Sequence, residues 1–238
     1  MNTLRNNLKY ALLVGAALLG SRGAQAEEKK HLEWDKGWQE RPMRLPDVPE
    51  SEYTPEQRRA VDNVMERFKN YKVKELPGPF RAYVRNPLVL EGVTDLVDAD
   101  IKGGTLGHRL TRLVGTVVGG LWRAQFEFFA QSREAAKEGV SPEVIEAIRL
   151  GEVPQFTKAD EQLVYDTVRE ITDTKTLSAA SFQRARDMLG DQAAAELMHF
   201  TAFFTMVAIT NVAFDIQVPE PFPGRPLPPL SLAHPDGP

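Results

Sequence analysis

The sequence predicts an all-α fold, a helical bundle with an extended N-terminal leader and a proline-rich C-terminal arm. Three observations predict it. Apolar residues recur at three- and four-residue spacing along most of the chain, no stretch alternates convincingly with period two, and clear start and stop signals separate the stripes.

Residues 27–53 are polar, contain three prolines and hold no sustained period, so they read as a leader wrapped on the body or partly loose. Thr54-Pro55 then supplies an N-cap and a proline at the first helical position, followed by the stripe Val61, Val64, Met65 and Phe68. Asn86-Pro87 repeats that signal ahead of Val89, Val93 and Leu96, and Gly103-Gly104 stops the second helix. Leu110, Leu113, Val114, Val117 and Leu121 mark a third helix that Gly119-Gly120 interrupts or ends. A further helix runs from Leu121 to Gly139, and Ser141-Pro142 opens another. Thr157 with Asp160 opens a helix striped by Val164, Val168 and Ile171. Ser178 opens one closed by Gly190, and Asp191 opens the last, which reaches about Phe214. That helix is apolar nearly all round, which predicts the buried centre of the domain or an oligomer interface. From Pro219 the chain holds eight of its seventeen prolines, which forbids helix and predicts either a disordered end or an extended arm on a neighbouring subunit.

The first 26 residues have the order of a secretory signal peptide: Arg5 and Lys9, the apolar run Tyr10–Gly20, then Ala24 and Ala26 before Glu27. Eleven apolar residues fall short of the ~20 that a membrane-spanning helix needs. Cleavage after Ala26 and a periplasmic or secreted protein, with no membrane attachment after cleavage, are the expectation. The predicted divisions are 1–26 signal peptide, 27–53 leader, 54–218 helical domain and 219–238 tail.

Removing residues 1–26 deletes Arg5, Lys9 and Arg22 and no acid, leaving 26 basic against 33 acidic side chains, net −7. Nucleic acid is therefore an unsuitable partner. The absence of cysteine excludes disulfides, thiolate catalysis and zinc–thiolate sites. No pair among His31, His108, His199 and His234 has metal-ligand spacing, so no metal is expected.

Three collinear stretches resemble the carboxymuconolactone decarboxylase family of the alkylhydroperoxidase (AhpD-like) superfamily. They are Leu76-Pro-Gly-Pro-Phe80-Arg-Ala-Tyr-Val-Arg-Asn-Pro87, the central pair around Arg109-Leu-Thr-Arg112 and Phe126-Glu127-Phe128-Phe-Ala-Gln131, and the helix from Glu196-Leu197 to Phe214. The resemblance spans roughly residues 42–222. It implies a helical bundle, a homotrimer or homohexamer, no cofactor, and a carbon–carbon lyase of aromatic-compound catabolism acting on a small anionic substrate.

The chain departs from the family at the site. Arg112 stands where the family has a glutamate, Phe126-Glu127-Phe128 where it has an aromatic-acid-aromatic triplet, and Gln131 where it has a histidine. The cysteine pair of the peroxidase branch falls on Ala124 and Glu127, so a thiol peroxidase is excluded. If the family's pocket exists, Arg112 and Glu127 face each other on adjacent helices. Two readings of Arg112 remain: a bidentate clamp on a substrate carboxylate, or a buried ion pair holding helices in register. Glu127 is left to carry acid–base work, its pKa raised by the surrounding Phe126, Phe128, Phe203 and Phe204 or lowered by Arg112. His199 either reaches the cavity as a substitute proton donor or is a core histidine bonded to a backbone carbonyl. Gln131 is a ligand contact or a satisfied interior amide. Trp122, Phe126 and Phe128 are core at helical spacing or a wall for a flat ligand, and His108, at a helix start, is expected to be exposed. The functional alternatives are a cofactor-free decarboxylase or proton-transfer enzyme on a small carboxylated lactone or enolisable acid, and a non-catalytic binding or scaffold protein.

Overall fold

The computed structural model describes residues 43–69, 75–216, 218 and 225–228, all within a unit spanning 39–238. The signal segment, His31 and His234 lie outside the described residues. Among them the chain forms eight α-helices and no strand: α1 (Pro55–Arg67), α2 (Phe80–Tyr83), α3 (Pro87–Lys102), α4 (His108–Leu121), α5 (Gln125–Lys137), α6 (Pro142–Leu150), α7 (Ala159–Thr174) and α8 (Ala179–Phe214). The all-α expectation holds.

Four of the start signals form caps. Thr54 and Gln57 make a reciprocal capping box at α1, while Asn86, Ser141 and Ser178 accept the backbone N–H three residues on at α3, α6 and α8. Thr157 does not cap α7. Lys158 occupies that position without a side-chain cap, and its ammonium instead reaches Gly139 O at 2.9 Å and Glu161 at 3.0 Å.

The centre is the α4–α5 hairpin. Contacts pair Arg112 with Gln131 and Gly119 with Phe128, so the two helices run antiparallel. Gly119-Gly120 does not end α4, which continues to Leu121 and turns at Arg123 with a left-handed φ of 53°. The glycines serve close approach instead: a Cβ on Gly119 would lie 2.7 Å from the Phe128 backbone nitrogen. Every residue of α4 from Leu113 to Gly120 is buried, and α7 and α8 pack on this helix too. On another side α1 packs on α3. The buried stripe of α3 is Leu90, Val93, Thr94 and Asp100, while Val89 and Leu96, expected to face inward, are exposed. Three apolar residues in succession, Leu88-Val-Leu90, leave the helix phase ambiguous in sequence.

Gly190 adopts φ 81° and ψ 165° inside α8, so the helix is two segments joined at a kink, as the stop signal there predicts. Asp191 pairs with Arg186 across it at 2.7 Å. The C-terminal segment is not buried all round. Leu197, Phe200, Phe204, Val207 and Ala208 face the core, whereas His199, Ala202, Met206 and Ile209 recur at helical spacing on an exposed face. By length and composition α8 is the one helix among the described residues able to cross a membrane, yet half of its most apolar window is buried in the bundle.

Both ends of the described chain pack on the body. Arg44 donates from its backbone N–H to Phe214 O at 2.9 Å and from its guanidinium to Ala213 O, satisfying carbonyls at the end of α8. In the described part of the tail, Leu227 is buried and exchanges two 2.9 Å hydrogen bonds with the Gln125 side chain, and Pro226 O accepts from Arg149.

Candidate active site

A group of buried polar side chains sits where α3, α4 and α5 meet. Arg112 enters from α4 and is 11% exposed. Its Nη1 donates to Asp100 Oδ2 on α3 at 2.5 Å and to Gln131 Oε1 on α5 at 3.1 Å. Gln131 acts in turn on Glu127, one helical turn earlier on α5, and favours its charged form. A Cβ on Gly115 would lie 2.6 Å from the Gln131 side chain, so this glycine opens the space that the amide occupies. The order Asp100, Arg112, Gln131, Glu127 is thus a continuous chain of contacts across three helices.

Its electrostatics follow from counting. Two buried acids share one cation. Asp100 is 4% exposed and Glu127 3% exposed. Burial pushes the Glu127 carboxyl up to about 8, the charge of Asp100 adds to the rise, and Arg112 and Gln131 oppose it. Asp100 is also raised, by burial first, with Arg112 opposing. At neutral pH Glu127 is therefore a neutral carboxylic acid beside the Asp100–Arg112 pair. Its Oε1, and Asp100 Oδ1, have no hydrogen-bond partner among the described residues. Glu127 lies in the first turn of α5, where the helix N-terminus favours whatever negative charge develops on it.

Tyr83 on α2 borders the group. Its hydroxyl donates to Thr210 Oγ1 on α8 at 2.9 Å, and its pKa rises to about 12 through burial, with a contribution from Glu127. Asn211, next to Thr210, is buried, and neither of its amide atoms has a partner among the described residues.

Arg112, Glu127 and Gln131 are brought together as the sequence predicts, but Arg112 pairs with Asp100 rather than facing Glu127 alone. Asp100 and Tyr83 were not anticipated. A signal for Asp100 existed, since it continues the helical register of Leu90, Val93 and Val97 as a carboxylate within an apolar stripe. His199 is exposed beside Glu196, so it reaches no cavity and is not a core histidine either. His108 is half-buried rather than exposed, and its ring packs over Gly103. Phe128 belongs to the main core, Phe126 packs its ring on Gly78, and Phe203 and Phe204 pack with tilted rings, centroids 5.2 Å apart. Trp122 caps the end of α4, ten residues and so about 15 Å along the axis from Arg112. Its ring lies under the Lys175 ammonium at 5.9 Å.

By sequence, neither a family model nor a curated protein matches the chain. By structure, it is similar to a peroxidase-related protein of uncharacterised function from Silicibacter sp. TM1040. That match has a TM-score of 0.60 and 16% identity, covering 81% of this chain and 98% of that one. It is also similar to the debrominase Bmp8, solved in complex with 2,3,4-tribromopyrrole, with a TM-score of 0.57 and 14% identity over 78% of this chain and 96% of the other. The chain shares their fold. Without cysteine, a thiol-dependent reaction has no nucleophile here.

Proposed function

We propose that this protein is an exported, cofactor-free member of the carboxymuconolactone decarboxylase family that protonates a carbanion or enolate formed from a small carboxylated lactone or enolisable acid. The reading rests on Glu127, a buried acid that keeps its proton at neutral pH beside a guanidinium. In the decarboxylation form, the carbon–carbon bond to the substrate carboxyl breaks and carbon dioxide leaves without the bonding pair. The pair is held in the adjacent carbonyl as an enolate, and Glu127 delivers its proton to carbon. Water then returns a proton to the carboxylate. Arg112 holds the substrate's anionic end through guanidinium nitrogens other than Nη1, which Asp100 and Gln131 occupy. Tyr83, aromatic and already anchored to Thr210, is placed to border the enolate.

The test is a panel of small carboxylated lactones and keto acids followed by proton NMR in deuterium oxide for product and for deuterium incorporation. With a turned-over substrate, Glu127→Gln lowers kcat about a hundredfold or more, the usual share of general acid catalysis. Unchanged turnover in Glu127→Gln ends this reading.

One observation favours a binding or scaffold protein instead: Arg112 is already paired internally, as a group serving architecture would be. Thermal stabilisation by the same acids with no turnover selects that alternative. Export is tested by sequencing the N-terminus of protein recovered from the periplasm, with Glu27 expected first. Assembly into a homotrimer or homohexamer, which the exposed apolar residues Met206, Ile209 and Val212 on α8 support, is read by light scattering.

A further inference from the structure

Asp100 takes no part in the proton delivery just described, yet it is the most buried charged partner of Arg112. Its carboxylate and the Gln131 amide oxygen both accept from the same guanidinium nitrogen, Nη1. Because Gln131 Oε1 accepts from Arg112, the NH2 end of that amide is the end left for Glu127. An inverted amide would lose the Arg112 bond and turn an oxygen toward the acid. The amide is therefore oriented by Arg112, which Asp100 holds.

We propose that Asp100 is the positioning residue of this site: it fixes Arg112 against Gln131, so orienting the amide toward Glu127, and it balances the guanidinium charge beside that acid. This rests on the reading of Glu127 as a proton donor. The charges acting on Glu127 come from Asp100 on α3 and Arg112 on α4; Tyr83 on α2 is the other titratable neighbour, and His108 and Glu134 act on Asp100. Asp100 raises the Glu127 carboxyl and Arg112 lowers it, and removing either one leaves the other unopposed.

The experiment follows the Glu127 carboxyl directly, by infrared pH titration of its protonated C=O stretch, with Glu127→Gln as the spectral blank. It needs no substrate. Asp100→Asn is expected to lower the titration midpoint of Glu127 by about one pH unit or more. Asp100→Glu is expected to recover most of that shift. Asp100→Asn combined with Arg112→Met removes both charges, so its midpoint returns toward that of the unaltered protein. The double variant also leaves no unpaired buried charge, which keeps the comparison usable if the single variant folds poorly. A midpoint unmoved by Asp100→Asn, or a double variant that stays as low as Asp100→Asn, overturns the proposal. These outcomes are separate from the turnover of Glu127→Gln, so the positioning role and the catalytic role can fail independently.

Discussion

Arg109 and Arg112 lie one turn apart on α4, and each enters a cluster of acids, but the two clusters differ in their balance. Arg109 meets Asp160 and Glu161, each at 2.5 Å, and Lys158 adds a second cation on Glu161 at 3.0 Å. Two cations serve two acids. Although burial alone would raise Asp160, its bond to Arg109 leaves it below the ordinary carboxylate value. Arg112 must serve Asp100 and Glu127 alone, deeper in the bundle, and both acids are raised. The first arrangement is a clasp at the start of α7. The second leaves an acid that keeps its proton, and the difference lies in one missing positive charge.

The largest effect that distinguishes them is on stability against pH. Glu127 titrates near 8 when folded and near 4.5 when unfolded, so the folded state holds the extra proton between those values. Stability is fully present below the unfolded value and is lost as pH rises through the window, by up to roughly 5 kcal/mol for complete burial. Urea unfolding from pH 5 to 9 should show this decline, and Glu127→Gln should flatten it. A slope equal in both proteins removes the idea that Glu127 is a buried neutral acid. Next, Arg112→Ala strands Asp100 without a counter-charge and is expected to cost about 3–5 kcal/mol in the same assay at pH 7. Gly119→Ala forces a Cβ toward the Phe128 backbone and should cost about 1–3 kcal/mol. Arg109→Ala should be mildest, about 1 kcal/mol, because Lys158 remains on Glu161 and the cluster is partly solvated. An Arg109→Ala cost equal to that of Arg112→Ala would erase the distinction between clasp and site.

Much of the architecture was legible in sequence because its signals are local. Thr54-Pro55, Asn86-Pro87, Ser141-Pro142 and Ser178 each act within one turn, and Gly190 breaks α8 where it stands. Phase was harder to read. In α8 apolar residues surround the helix, so nothing local said that His199 shares the outward face with Met206 and Ile209. In α3 the same ambiguity hid Asp100. The glycines at 119 and 120 looked like a stop, since a breaker and a close-approach residue are the same amino acid, and only the α5 backbone opposite distinguishes them. Arg112, Glu127 and Gln131 were found through resemblance; the partner that commits Arg112 comes from another helix, and no spacing rule links position 100 to 112.

The pair of hydrogen bonds between Gln125 and Leu227 has a consequence for how the protein comes into being. The first turn of α5, two residues before the acid, is braced by a segment made 102 positions later. A growing chain can form every described helix before that brace exists, so the acid's surroundings are completed only after residue 227 is made. Products shortened ahead of Leu227 lose both bonds and leave that turn without its brace.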